Sequence, residues 1–207
     1  MARVEDYNKA FDLAKEELSN RNPVHVCRLS GAHFIEKKGE PSNIRLTFLN
    51  EIVTIRWPDL LFQHETKGDI PIKQKIILLH YLNGSAEKDL TGELIGYQDI
   101  PSARFYLDAF NRRVKHPLVS TFGEQPDTLV TCAAELFDAT QSSVGDASAL
   151  IQALPKIPIT LVIWRGDEEF ASDGTILFDS SIQHILSPED ISELTSMIVY
   201  PLLAKAR

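Results

Sequence analysis

A chain of 207 residues, 43% hydrophobic and 24% charged, is long enough to bury a large core and reads as one globular domain without low-complexity tracts. A net charge of −8 and an isoelectric point near 5.2 repel phosphate backbones and anionic membranes; no basic stripe and no bilayer-length apolar run offsets them, so no nucleic acid and no membrane are expected as partners. The first residues carry no apolar leader core, which points to the cytoplasm, and two distant cysteines, Cys27 and Cys132, build neither a cysteine-type zinc site nor an iron–sulfur cluster.

Val4, Tyr7, Phe11, Ala14 and Leu18 recur three and four apart, which predicts an amphipathic helix ending before Asn22-Pro23, where proline pushes its neighbour out of the α region. Residues 33–37 read as a strand and residues 43–57 as a hairpin. A two-residue turn at Asn50-Glu51 sets Phe48 against Val53, Leu46 against Ile55 and Ile44 against Trp57. The same register sets Arg45 across from Arg56, either as splayed, solvated side chains or as an anion clamp. After a polar loop, Asp69 is read as the N-cap of a helix with Pro71 in its first turn and a stop at Asn83-Gly84. Its centre, residues 76–82, is apolar on every face, which predicts burial all round. His80 within it is a structural imidazole with one partner, or else a ligand or general base, and Tyr81 is a candidate cofactor contact beside it.

Residues 93–97 form a short strand, and Pro101 leads into a helix carrying Phe105, Tyr106, Ala109, Phe110 and Val114, with Arg104, Arg112 and Arg113 beside them. Such interleaving either stacks on a flat ligand and holds its carboxylates, or is core aromatics beside a solvated basic face. Residues 117–123 read as a loop and residues 127–137 as a helix. Residues 147–154 read as a strand with Ala149, Ile151 and Ala153 on one face.

The run of residues 159–164, bounded by Pro158 and Gly166, is apolar and rich in β-branched side chains, so it predicts the central strand of a sheet. Gly166-Asp167-Glu168-Glu169 follows, then Asp173-Gly174 and a second strand that closes on Asp179. Gly166 and Gly174 are expected to supply the unusual backbone of a tight connection. Two readings of the acids stand side by side. Asp167, Glu169 and Asp179 gather a hard cation through oxygen ligands, or Asp167 closes the hairpin on its own backbone while Asp179 caps the short helix containing Gln183 and His184. Ser187-Pro188-Glu189-Asp190 is a capping box opening a helix that buries Ile191, Leu194, Ile198 and Leu202, with Pro201 kinking or fraying its last turn. The fold class is therefore α+β, a single domain with a largely antiparallel or mixed sheet and helices packed against it. Nucleophilic catalysis and nucleotide binding lack support, because no G-x-S-x-G, P-loop or G-x-G-x-x-G occurs and the side chains of His25 and Cys27 diverge on a strand.

Gly31-Ala32, Leu79-His80-Tyr81-Leu82, residues 97–110 and above all Gly166-Asp167-Glu168-Glu169-Phe170 followed by Ile176-Leu177-Phe178-Asp179, His184 and Leu186 make the chain resemble the uncharacterised family called domain of unknown function 3786, of anaerobic bacteria and archaea. The resemblance implies that in some members the domain follows a cysteine-rich iron–sulfur segment like that of corrinoid-protein subunits, which has no counterpart here. It carries over no catalytic residue. Three functions are expected alternatives. The first is an accessory module of anaerobic metabolism binding a small molecule or cofactor, such as a corrinoid or other tetrapyrrole, through His80, Tyr81, Arg104, Tyr106 and His184. The second is a divalent-metal hydrolase or lyase using Asp167, Glu169 and Asp179. The third is a protein–protein adaptor, which requires an exposed apolar patch. A site, on the first two, lies where the acidic turn and Asp179 approach His80 or His184.

Overall fold

The computed structural model describes residues 4–36, 38–65, 68–85 and 89–207. The fold is α+β, with helices packed against antiparallel sheets. The chain groups into two compact units, the first made of Met1–Asp89, Leu154–Lys156 and His184–Leu186, the second of Leu90–Ala153, Ile157–Gln183 and Ser187–Arg207. Among the described residues no helix is long and apolar enough to cross a membrane.

In the first unit α1 (Val4–Ser19) buries Ala14 and Leu18. A second helix, α2 (Pro23–Ser30), follows where the sequence reading placed His25 and Cys27 on a strand. The β-branched Val24 and Val26 obscure it, but its ends are well marked: the Asn22 side chain accepts from the His25 amide, Pro23 stands at the first position, and Gly31 ends it at φ 71°. Strands β1 (His33–Ile35), β2 (Ser42–Phe48), β3 (Glu51–Trp57) and β4 (Leu61–His64) form an antiparallel sheet in that order. Lys37, expected at the end of β1, lies outside the described residues. Strand β4 occupies what was read as a polar loop, and pairs Phe62 with Ile55.

The β2–β3 register differs by two residues from the expected one. Phe48 faces Glu51, Leu46 faces Val53 and Ile44 faces Ile55, so the turn is Leu49-Asn50, at φ 49° and 65°. Positive φ at both central residues is what a two-residue hairpin turn of the native twist demands, and leucine is an unexpected occupant of the first position. A shift of two leaves the buried face unchanged, which is why the apolar pattern alone did not reveal it. It also removes the expected arginine pair: Arg45 faces Thr54 and bonds Glu65 at 2.6 Å, while Arg56 bonds Asp59 at 2.6 Å. Replacing Leu49-Asn50 by Asn-Gly should raise stability by about 1 kcal/mol, since it relieves left-handed strain at a half-exposed leucine. A urea midpoint that falls instead would mean that the contacts of Leu49 outweigh the strain.

Helix α3 (Ile72–Gly84) is capped by Pro71 without a side-chain bond; Asp69, the expected cap, accepts from Lys75 at 2.9 Å. Ile76, Ile77, Leu78, Leu79, Tyr81 and Leu82 are buried as predicted.

The second unit is built on β5 (Leu94–Gly96), β6 (Thr140–Gln141), β7 (Ala147–Leu154), β8 (Ile157–Trp164) and β9 (Asp173–Asp179), in the spatial order β5-β9-β8-β7-β6. The predicted central strand is central, with residues 159–163 buried on both faces. Only two residues join β7 to β8, which a parallel pair could not accommodate. The helix expected over residues 105–114 is broken into short pieces: a 3₁₀ turn at Ala103–Phe105, α4 (Leu107–Phe110), a π turn at Asn111–Lys115, and α5 (His116–Phe122), which covers the expected loop. Pro117 explains the π turn. It has no N–H for the carbonyl four residues back, and the wider turn lets the His116 amide reach Asn111 instead. Helix α6 (Pro126–Phe137) follows. The capping box at Ser187 opens α7 (Pro188–Lys205) as predicted, but the helix continues through Pro201 to Lys205.

Candidate functional site

The acidic turn joins β8 to β9, whose last pair is Trp164 with Asp173. Asp167 Oδ1 accepts from the amides of Glu169 and Phe170, both at 2.8 Å, and its own amide donates to the Phe170 carbonyl at 2.9 Å. These bonds, from Phe170 first and then Glu169, hold its carboxyl below the usual carboxylate range. Asp167 thus closes the turn on its own backbone, one of the two uses read from the sequence. Gly166 and Gly174 are needed for space rather than handedness, a correction to the expected backbone: neither has positive φ, but a Cβ on Gly166 would sit 2.7 Å from the Ser172 amide nitrogen and one on Gly174 2.7 Å from the Val162 carbonyl oxygen. Around the turn, the Arg165 amide donates to Asp146 at 2.7 Å and Lys115 pairs with Asp173 at 3.1 Å. The turn is therefore braced, yet Glu168 and Glu169 point outward and Phe170 is 70% exposed.

Asp179 lies at the far end of the seven-residue β9, about 20 Å along the strand from Asp173. It is 4% exposed and accepts from the Thr91 amide (3.1 Å) and hydroxyl (3.0 Å), the Gly92 amide (2.7 Å) and the Ser181 amide (2.9 Å). Burial alone would push its carboxyl up; the bonds from Ser181, Thr91 and Gly92 outweigh it and bring the value down to about 2. It fixes the start of the 3₁₀ turn at Ser180–His184 and the loop before β5, with three bonds accepted at Oδ1 and one at Oδ2, all from the scaffold. Among the described residues no group of three or more His, Cys, Asp or Glu is placed to hold a metal ion, so Asp167, Glu169 and Asp179 are not gathered into one shell.

His80, Tyr81 and His184 belong to the first unit, and the three carboxylates to the second. Tyr81 is fully buried; its hydroxyl donates to the Ser30 carbonyl and accepts from the Lys156 amide at 3.1 Å, and burial raises its pKa well above the ordinary phenol value. It is a strut between segments distant in sequence. His80 is half-buried on α3 and His184 is exposed. Burial pushes the Cys27 thiol up to about 11, which keeps it protonated and unreactive.

Arg104 and Tyr106 lie in the second unit, on the broken helical segment. Within it Phe110 and Val114 are core, and Phe110 stacks on Tyr97 at 3.9 Å between ring centres. Burial lifts the Tyr97 hydroxyl to about 12, with Tyr106 and Glu189 adding to the shift, and that hydroxyl donates to the Pro188 carbonyl at 2.9 Å. The stack anchors the segment. Phe105, by contrast, is 89% exposed and Tyr106 42% exposed, so the aromatics divide between the two sequence readings. Arg104, Arg112 and Arg113 are exposed, and among the described residues none of the three makes an ion pair or hydrogen bond. Arg21, Arg45, Arg56 and Arg165 each have a protein partner.

Sequence reasoning named these arginines without separating them from ordinary surface charge. The signal it lacked was the break in the helix, which turns Phe105 out while Phe110 stays in. Thr91, Gly92 and Ser181, the partners of Asp179, carried no local motif.

Searches of curated proteins and of solved structures return no match to the chain. The family model described as "Domain of unknown function (DUF3786)" matches residues 22–200, a span that contains α2, both sheets, the acidic turn, the Asp179 node and the arginine segment, and the chain therefore belongs to that family.

Proposed function

We propose that the protein is a binding module, an adaptor that docks through residues 102–116 onto an acidic, partly apolar surface of a protein partner. One observation carries this reading: an anchored segment holds Phe105 89% exposed and carries three exposed arginines whose side chains have no partner among the described residues. A phenylalanine ring held in water forgoes about 2 kcal/mol of burial, which a partner surface recovers, and arginine is the side chain suited to carboxylates at an interface. A net charge of −8 makes such a cluster an exception within the chain and gives it a preferred kind of partner. The reading takes the protein to be cytoplasmic, as its first residues suggest, and takes from the family resemblance that it works in an anaerobe. A small flat cofactor is less well supported, because Tyr81 is engaged on both sides of its hydroxyl and the other candidate contacts are divided between the units.

The test compares two probes by fluorescence anisotropy or quenching: a labelled Glu-Glu-Phe-Glu-Glu peptide and uroporphyrin, a carboxylated tetrapyrrole. The peptide is expected to bind at low salt, and Phe105→Ala or paired Arg112→Glu and Arg113→Glu should weaken it at least tenfold. These exposed changes should leave stability within about 0.5 kcal/mol. Binding of uroporphyrin without the peptide would replace the adaptor by a tetrapyrrole carrier, and peptide binding untouched by these substitutions would remove the segment from consideration.

A further inference from the structure

We infer that the surface facing the arginine segment is the acidic turn of a second copy of this chain. The inference rests on the docking reading above and names its partner. Val4 aside, Phe105 and Phe170 are the most exposed large apolar side chains among the described residues, at 89% and 70%. Their flanks have opposite signs. Arg104, Arg112 and Arg113 accompany the first, and Asp167, Glu168 and Glu169 precede the second. Both patches belong to the second unit, and among the described residues neither the three arginines nor Glu168 and Glu169 form an ion pair. Lys115 and Asp173 are paired within one copy, but the three arginines and the two glutamates are left for contacts outside it.

Both surfaces are also fixed before contact. The Tyr97–Phe110 stack anchors one, and the Asp167 bonds to Glu169 and Phe170 close the other, so little order remains to be imposed on binding. Each copy offers one exposed aromatic ring on a segment that carries arginines and one directly after a run of acids. Joining them between copies covers both rings and pairs arginines with carboxylates, the bidentate geometry that arginine favours. Two copies using both patches reciprocally close a dimer, and copies joined head to tail extend a chain. The net negative charge opposes approach at long range, but at physiological salt that repulsion is screened beyond about 8 Å while contacting pairs persist.

Sedimentation velocity on the full chain over micromolar to submillimolar concentration tests the pairing by charge exchange. The wild type should associate, with dissociation constants raised at least tenfold by Phe105→Ala or Phe170→Ala. Arg112→Glu with Arg113→Glu should abolish association, and so should Glu168→Lys with Glu169→Lys. Mixing these two double variants restores opposite signs at both contacts, and the mixture should associate at least tenfold more tightly than either alone. A wild type that stays monomeric throughout overturns the inference, as does a mixture no better than its components. Either failure leaves the docking reading to its own peptide measurement. If the arginine variant loses peptide binding while the acidic variant associates like the wild type, the docking reading holds and the inference is overturned, because the acidic turn is then not the surface that faces the arginines.

Discussion

Asp179→Ala is expected to destabilise the second unit by about 3 kcal/mol at neutral pH, since it strips acceptors from the amides of Thr91, Gly92 and Ser181, the last of them buried. The loss should be pH-dependent. A carboxyl near 3.8 when unfolded and about 2 when folded contributes stability that is whole above about pH 4 and disappears as pH falls through 2. The shift corresponds to roughly 2 kcal/mol. Urea unfolding of wild type and variant from pH 7 to pH 2 measures the difference, which should narrow steadily below pH 4. A difference constant down to pH 2 would mean that the carboxylate charge is not what holds the loop.

Gly84→Ala is expected to cost more than about 3 kcal/mol. A Cβ there would lie 2.0 Å from the Ile185 carbonyl oxygen and 2.9 Å from its carbonyl carbon, so the backbone of one segment must move. Within a helix alanine ordinarily gains about 1 kcal/mol over glycine, which makes the sign itself informative. Thermal unfolding decides it. A variant at or above wild-type stability would show that α3 and the Ile185 segment are not packed in this way.

The parts of the fold legible in the sequence were those with a one-dimensional signature. Residues 159–164, apolar and β-branched between proline and glycine, became the central strand, and Ser187-Pro188-Glu189-Asp190 carried the capping box of α7 in four consecutive residues. The two structural uses of aspartate were readable for the same reason, because Asp167 bonds two and three residues ahead and Asp179 bonds Ser181 two residues on. What escaped depended on partners far away or on backbone that no side chain advertises. The β2–β3 register hung on Leu49 taking a left-handed conformation, and β4 was hidden because Leu61-Phe62-Gln63-His64 is four residues long and shows no apolar–polar alternation. The candidate surface was half legible: the residues were named, but Phe105 stands in a separate 3₁₀ turn, Ala103–Phe105, that ends before α4 begins at Leu107, and no local motif announces that break.

The make-up of the first unit bears on the order in which it can be completed during synthesis. Residues 1–89 leave the ribosome well before Leu154–Lys156 and His184–Leu186, the two tripeptides that belong to the same unit. Until the second of these emerges, the Tyr81 hydroxyl has no Lys156 amide to accept from for most of that interval, and Gly84 has no Ile185 backbone to lie against. The nascent first unit must therefore wait, with part of its interior open, for nearly the whole chain to be made. A gene split after residue 89 would not yield two independent halves, because the earlier product would lack both tripeptides.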